Sequence, residues 1–414
     1  MTSNTSWVDR GLLGVIRRIA APVRVEVALA QNISSASRAG SRMPTIWVAD
    51  RPTLISLLLN PEVGFGDAYS EGRLEIDGDL VSVLETVFES PSRTLSWSFR
   101  LVSSWLNWVQ SNSLAGSHRN IHHHYDLPTG FYKLWLDPQM AYTCAYFPDR
   151  EATLEEAQRA KLDLVCQKLW LRPGESVVEA GCGWGGLALY MAKHYGARVK
   201  AFNISHEQIL FARARAKEQG LASQVDFVED DYRNIQGRFD AFVSLGMVEH
   251  VGAEHYRELG QVIHRVIGDS GRGLLHFIGR NYPRPFSVWI RKRVFPGAYV
   301  PALREAMQIL EASDFAVLDI ENLRPHYAKT LESWLQKFER SYDTVSQRFG
   351  SDFARMWRLY LASSIAAFNV GALQLFQIVF AGRKCRDIPW TRSYLGKDLT
   401  ASRQQDQPWI PAMS

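Results

Sequence analysis

Ten consecutive residues constrain this chain more than any others: Val177-Val178-Glu179-Ala180-Gly181-Cys182-Gly183-Trp184-Gly185-Gly186. The β-branched start reads as a buried strand, and the glycines as a tight turn that opens a helix. Such a turn lets backbone approach a ligand closely. At the first crossover of an open α/β sheet it is where nucleotides bind. A bare GxGxxG would say little, but here the spacing is GxGxGG and Glu179 stands just before the turn. A dinucleotide-binding fold wants an acidic residue about 20 positions further on, for the ribose. This chain has Asn203 there.

The surrounding pattern supplies the sheet that such a turn needs. From Glu151 onward, short apolar runs at 176–179, 198–203, 225–228, 241–245 and 273–278 read as strands. Amphipathic stretches at 153–170, 207–219 and 254–267 alternate with them, and Pro173-Gly174 stops the first helix. Two further helices, 331–349 and 353–368, precede a last strand at 374–380. The alternation predicts an α/β fold with a doubly wound, mostly parallel sheet.

The first third differs. Segments 45–59 and 64–80 read as a small α+β module with turns at Asn60-Pro61 and Asp77-Gly78. Ser90-Pro91-Ser92 breaks it, a Trp-rich run follows (Trp97, Trp105, Trp108), and 110–119 reads as a polar linker. The stretch 11–19, with Arg17–Arg18, suits a helix lying on an anionic membrane, or a plain capping helix. The 13 Trp exceed what a minimal core requires. They fit large aromatic cores, or a greasy channel and a lipid-facing surface. The expected division is a lipid-docking module, 1–115, and a catalytic domain, 116–414.

Charge and cysteine narrow the partners. A net charge of +4 is too weak for nucleic acid, which demands a strong basic stripe. Four Cys without paired spacing read as reduced cytoplasmic thiols, not a disulfide or zinc framework. Adjacent His122, His123 and His124 point to alternate faces, and no ligand set completes a metal site. No apolar run approaches the ~18 residues of a membrane span, and residues 1–9 lack the pattern of a signal peptide. The expectation is a cytoplasmic protein associated peripherally with the inner face of the cell membrane.

The E-x-G-x-G-x-G pattern resembles the first motif of class I S-adenosylmethionine-dependent methyltransferases. The resemblance implies a Rossmann-like sheet of seven strands. It also implies that Glu179, Gly181, Gly183 and Gly185 line the methionine and ribose portions of S-adenosylmethionine. Asn203, Ser205 and Gln208 (from NISHEQ) would come after the second strand, and Asp231-Tyr232, after the third, would sit near adenine. Further motifs agree in order: 124–137 (HYDLPTGFYKLWLD), 140–147 (MAYTCAYF), 246–252 (GMVEHVG), 275–279 (LHFIG) and 324–328 (RPHYA). Together they resemble the cyclopropane-fatty-acyl-phospholipid synthase family and its mycolic-acid methyltransferase relatives, from about Ile121 to the end and more weakly before it. Tyr142 and Thr143 join the cofactor set by that resemblance.

The implied chemistry explains the residue types. An alkene attacks only a strongly electrophilic methyl, such as that on a sulfonium, and leaves a carbocation on the acyl chain. A base must then take a proton from the new methyl before a ring can close. The resemblance implies bicarbonate as that base, cradled by Cys144, Glu249, His276, the backbone of Ile278, and Tyr327. An anion beside Glu249 is tenable if hydrogen-bond donors dominate and a proton is shared. The faces of Tyr146 and Phe147 suit a cation. Taken singly, each residue has an ordinary reading: a packing thiol, a helix cap, a core histidine, a buried phenol. Only the joint pattern makes a site. The substrate implied is an unsaturated membrane phospholipid. Rival readings are a lipid methyltransferase leaving a methyl or methylene branch, a small-molecule N-methyltransferase, and a non-catalytic lipid carrier. Double-bond position, head group, and monomer or homodimer stay open.

Overall fold

The computed structural model describes residues 6–21, 24–30, 43–89 and 127–395. The predicted break at Ser90-Pro91-Ser92, the Trp97–Trp108 run, the 110–119 linker and the histidines 122–124 lie outside the described residues. The chain divides into two compact units. One comprises 1–107, 285–294 and 331–372; the other comprises 108–284, 295–330 and 373–414.

The first unit holds the predicted α+β module. Strands β1 (Glu26–Leu29), β2 (Thr45–Val48) and β3 (Leu74–Asp77) form a small sheet in that order, β1–β2 parallel and β2–β3 antiparallel. Helix Trp7–Ala20 starts on Ser6, whose Oγ accepts from Val8 N–H at 3.2 Å. It buries Leu13 and Ile16 against Val27, Val48 and Leu54. Asp9 pairs with Arg51 at 2.6 Å and Arg17 Nε donates to Val27 O at 2.7 Å. Asn60 ends one helix, Arg51–Leu59, and caps the next, Pro61–Ser70, where Pro61 takes the first position that suits it. Gly66 on that helix leaves room for an indole: a methyl there would lie 2.3 Å from Trp289 Nε1. Helix Ser351–Asn369 closes this unit. Its Arg355 donates to Tyr69 O at 2.6 Å and Leu74 O at 3.0 Å, and pairs with Glu75 at 3.0 Å.

The second unit is the doubly wound sheet. Its strands are β4 (Ser176–Ala180), β5 (Arg198–Asn203), β6 (Val225–Glu229), β7 (Ala241–Leu245), β8 (Arg272–Gly279), β9 (Ala316–Asn322) and β10 (Gln374–Ala381). They run in the order β6-β5-β4-β7-β8-β10-β9. The first five are mutually parallel, and β10 is antiparallel to both β8 and β9. Alternate residues serve two cores, as a pleated sheet covered on both faces requires. Val177, Val199, Val225 and Val243 pack with Leu162, Leu187 and Ile209 on one face. Val178, Phe242, Leu275 and Phe277 pack with Leu259, Val262 and Ile263 on the other.

Two expectations need correction. The seventh strand, β9, was not placed from the sequence. It is an edge strand, largely exposed, and carries Asp319 and Glu321, so it shows no apolar run. The helix expected over 331–349 begins seven residues earlier, as Arg324–Arg340, and yields at Ser341 to a second helix, Tyr342–Phe349. The earlier start puts Tyr327 in its first turn. Among the described residues, no helix is long and apolar enough to cross a membrane, and no cluster of His, Cys, Asp and Glu suits a metal ion.

Candidate active site

The glycine turn leaves β4 at its carboxyl end. Gly181, Gly183 and Gly185 all take positive φ (82°, 53° and 80°), the region that disfavours side chains. The Gly181 and Cys182 amides donate to Phe202 O at 2.9 and 3.0 Å, holding the turn onto β5. A methyl on Gly185 would meet the Phe227 ring at 2.6 Å and Ala212 at 2.9 Å, so this glycine permits close packing of helix on strand. A methyl on Gly183 would meet nothing within 4 Å.

A cavity of about 160 Å³ opens above the turn. Of the predicted cofactor residues, Tyr142, Thr143, Glu179, Gly181, Gly183, Asn203, Gln208, Asp231 and Tyr232 line it; Gly185 and Ser205 do not. Ser205 is the N-cap position of helix His206–Glu218, and its amide donates to Asn203 Oδ1 at 3.4 Å. Asn203 Nδ2 donates to Gln208 Oε1 at 2.6 Å and Gly183 O at 3.3 Å. Asp231 is taken up by the Arg233 guanidinium at 3.1 Å and amide at 2.9 Å. That guanidinium also lies 4.8 Å over the Tyr232 ring. Three buried polar atoms here have no partner among the described residues: Glu179 Oε2, Gln208 Nε2 and the Tyr232 hydroxyl. Both hydrogen-bond donors and an acceptor are thus available to a cofactor with hydroxyl, amino and carboxylate groups, which fits S-adenosylmethionine.

Sequence reading missed the cation in this cavity. Lys161, 2% exposed, donates to Thr143 Oγ1 at 2.9 Å. Burial pushes its ammonium down to about 8, against the pull of Asp137, Cys144 and Glu179. Burial pushes the Glu179 carboxyl up to about 8, opposed by Lys161 and the Ala188 amide. The signal was there. Lys161 stands in the stripe Leu154, Ala157, Leu162, Val165 that the helix buries, where an unpaired charge is costly.

The loop carrying Tyr142 to Phe147 has no regular structure, and side chains hold it in place. Asp137 accepts from the Gln139 and Ala141 amides at 2.8 and 2.9 Å, and Gln158 Nε2 donates to Thr143 O at 3.0 Å. Thr330 Oγ1 and His326 Nδ1 accept from the Ala145 and Phe147 amides, both at 3.0 Å. Tyr146 stacks on the His326 ring at 4.7 Å. Tyr327, buried, shares the first turns of helix Arg324–Arg340 with His326 and Thr330.

Cys144 follows Thr143, one step beyond the cavity lining. Its thiol is fully buried and pushed up by that burial, so it stays protonated; it donates to Ala145 O at 3.1 Å. Glu249 lies in the short helix Val248–Val251 after β7, and His276 in β8 beside it. The register sets Leu245 of β7 against His276, and Gly246 N–H donates to His276 O at 2.8 Å. Glu249 Oε1 accepts from Ile278 N–H at 2.7 Å, so Ile278 enters through that carboxyl group. Burial pushes the Glu249 carboxyl up to about 7 despite this amide. Burial, with the charges of Lys161 and Lys168, pushes His276 well down, so its ring is neutral. Glu249 Oε2 and His276 Nε2 are both buried and have no partner among the described residues.

Residues 112–378 match the mycolic acid cyclopropane synthetase family. A probable fatty acid methyltransferase of Pseudomonas putida is 36% identical over 360 residues, covering 84% of this chain and 90% of that protein. The cyclopropane-fatty-acyl-phospholipid synthase of Escherichia coli K12 is 34% identical over 347 residues, covering 83% and 89%. The solved structure of mycolic acid cyclopropane synthase CmaA1 complexed with SAH and CTAB aligns with a TM-score of 0.60 at 28% identity, covering 64% of this chain and 97% of that one. Cyclopropane synthase MmaA2 from Mycobacterium tuberculosis gives a TM-score of 0.61 at 27% identity, covering 64% and 98%. With the family match over most of the chain and relatives above 30% identity along most of its length, the chain belongs to the mycolic acid cyclopropane synthetase family of S-adenosylmethionine-dependent methyltransferases.

Proposed function

We propose that this enzyme adds a methylene unit from S-adenosylmethionine across a cis double bond in the acyl chain of a membrane phospholipid, closing a cyclopropane ring. The observation that carries the reading is the pair of buried, partnerless atoms Glu249 Oε2 and His276 Nε2, on residues that neighbour the cavity-lining His250, Leu245 and Gly246 in sequence or strand register. A buried polar atom left unpaired costs about 1–3 kcal/mol, so such a pair suits a small polar ligand. Bicarbonate fits the donor set and supplies a base for the methyl proton when bound. The chain's residues prepare its place. Glu249 retains a proton below about pH 7 and His276 remains uncharged, so these two groups offer donors and no fixed negative charge there, while the Cys144 thiol stays protonated and donates to Ala145 O. Ile278 fixes the Glu249 carboxyl, and Thr330 and His326 fix the loop that bears Cys144. The fatty acid methyltransferase relative keeps a second product in view, a methyl or methylene branch. Expression in a bacterium rich in unsaturated lipid, followed by ring-sensitive mass spectrometry of its fatty acids, separates the two. Cyclopropane chains are expected; branched chains alone would overturn ring closure.

The helix Trp7–Ala20 supplies the membrane contact. Trp7, Val15 and Ile19 are exposed at 79%, 48% and 55%, and Arg10 and Arg18 are exposed on the same helix. Indole, aliphatic and guanidinium groups together suit an anionic lipid surface on the inner face of the membrane. Trp7→Glu with Ile19→Glu should weaken co-sedimentation with phosphatidylglycerol vesicles by at least about tenfold, because each apolar side chain so buried is worth about 1.5–3 kcal/mol. Undiminished binding would move the docking surface elsewhere.

A further inference from the structure

Behind His276 lies a buried polar chain that no step above uses. Gln377 of β10 stands directly across the antiparallel pair from His276, and its Nε2 is 2.9 Å from His276 Nδ1. Lys168 Nζ donates to Gln377 Oε1 at 2.6 Å and forms an ion pair with Glu321. His276, Gln377 and Lys168 are at most 1% exposed. From these contacts we infer that Lys168 and Gln377 act as positioning residues which lock His276 in the tautomer with its proton on Nε2.

The argument needs only the inventory of donors and acceptors. An ammonium has donors and no acceptor, so the Gln377 oxygen must face Lys168. The Gln377 amide nitrogen, which has no lone pair to offer, then faces His276 Nδ1. Nδ1 must therefore be the acceptor. A neutral imidazole carries one proton, and here it is left on Nε2, a buried atom with no partner among the described residues. Imidazolium is opposed by the same contact, since a second proton on Nδ1 would meet the amide N–H head-on; the depressed pKa of the ring agrees.

The lock defines what His276 does in the reaction proposed above, on which this role rests. Nε2 is a fixed donor and cannot take the proton released from the new methyl. That proton goes to the bound base, and His276 holds the base in place. The reversed strand β10 makes this possible, because antiparallel pairing sets Gln377 squarely opposite the ring.

The test uses the full chain labelled with ¹⁵N in its histidine rings, read by long-range ¹H–¹⁵N correlation. The His276 signals are identified by their loss in His276→Gln. The wild type should show a protonated Nε2 and a bare Nδ1. Gln377→Glu keeps a partner for Lys168 but offers His276 an acceptor, so the proton should move to Nδ1. Turnover should then fall by about 10²–10³-fold, the loss typical of a misplaced donor in an active site, with the dissociation constant for S-adenosylmethionine unchanged. Gln377→Met, which frees the ring, should give both tautomers and a smaller loss. A wild-type ring protonated on Nδ1, or on both nitrogens, overturns the lock. So does a Gln377→Glu enzyme with a flipped ring and wild-type turnover. The ring signals decide the lock even if the product is not a cyclopropane, so its failure and that of the proposed reaction are distinguishable.

Discussion

Glu249→Gln should lower cyclopropane formation by about 10²–10⁴-fold, the range for a positioned acid–base group, and leave S-adenosylmethionine binding intact. The amide preserves shape and can still accept from Ile278 N–H, which the carboxyl does at 2.7 Å. What it cannot do is gain or release a proton at the buried, partnerless position of Oε2. The pH dependence follows from the same group. With its carboxyl raised to about 7, Glu249 is neutral below that pH and becomes a carboxylate above it. An anion bound beside it is held below pH 7 and repelled as pH rises through 7. The bicarbonate needed for half-activation, measured in buffer stripped of carbon dioxide, should therefore rise across pH 7 in the wild type. It should change little in Glu249→Gln. Near-normal turnover by the variant would remove Glu249 from the mechanism, and full activity without carbonate would remove the anion.

The second large effect is expected from Lys161→Met. Lys161 is the buried cation beside Glu179 and Asp137, both themselves buried. Removing the ammonium leaves Thr143 Oγ1 without its donor and withdraws the positive charge acting on Asp137 and Glu179, at a cost of about 1–3 kcal/mol, typical of a buried polar group left unpaired. The melting temperature should fall by several degrees. Cofactor affinity should fall with it, since Thr143 Oγ1, on the cavity wall, loses its donor. Once Glu179 ionises, its carboxylate would be left uncompensated, so Lys161→Met with Glu179→Gln should regain part of the lost stability as pH rises through about 8. Unchanged melting of Lys161→Met would show that Glu179 and Asp137 do not need the cation.

The difference between what could be read in the chain and what could not follows one physical line. The strands β4, β7, β8 and β10 were legible because both faces are buried, so each is a short apolar run between turn residues, and β5 and β6 because Val199 and Ala201, and Val225 and Phe227, alternate with polar positions. Strand β9 was not, because an edge strand with Asp319 and Glu321 has no such run. The glycine turn was legible because positive φ demands glycine. Gly183 and Gly185 look alike in sequence, yet one opens on the cavity and the other packs on Phe227, a distinction that only neighbours distant in sequence impose. Glu249, His276 and Cys144 stood out through the motifs around them. Gln377, Lys161 and Lys168 did not, although each is a polar residue inside an otherwise buried stripe. That pattern marks a group with a partner, but the partner's identity is set by strand register and not by spacing along the chain.

The first unit draws on three separate stretches, 1–107, 285–294 and 331–372. Its bonds run between them: Trp289 Nε1 to Asp67 at 3.2 Å, Arg293 to Asp67 at 2.7 Å, Arg355 to Glu75 at 3.0 Å. Cutting the gene after the first stretch would leave an indole and two guanidinium groups facing nothing made for them, so a truncation there divides a folding unit where it was meant to separate two. The same holds over generations. A lineage that discards the leading segment must rewrite two distant stretches as well, and one that acquires it must supply their matching surfaces. The three stretches therefore have to match one another, although the region matched to the family, 112–378, spans only the second and third.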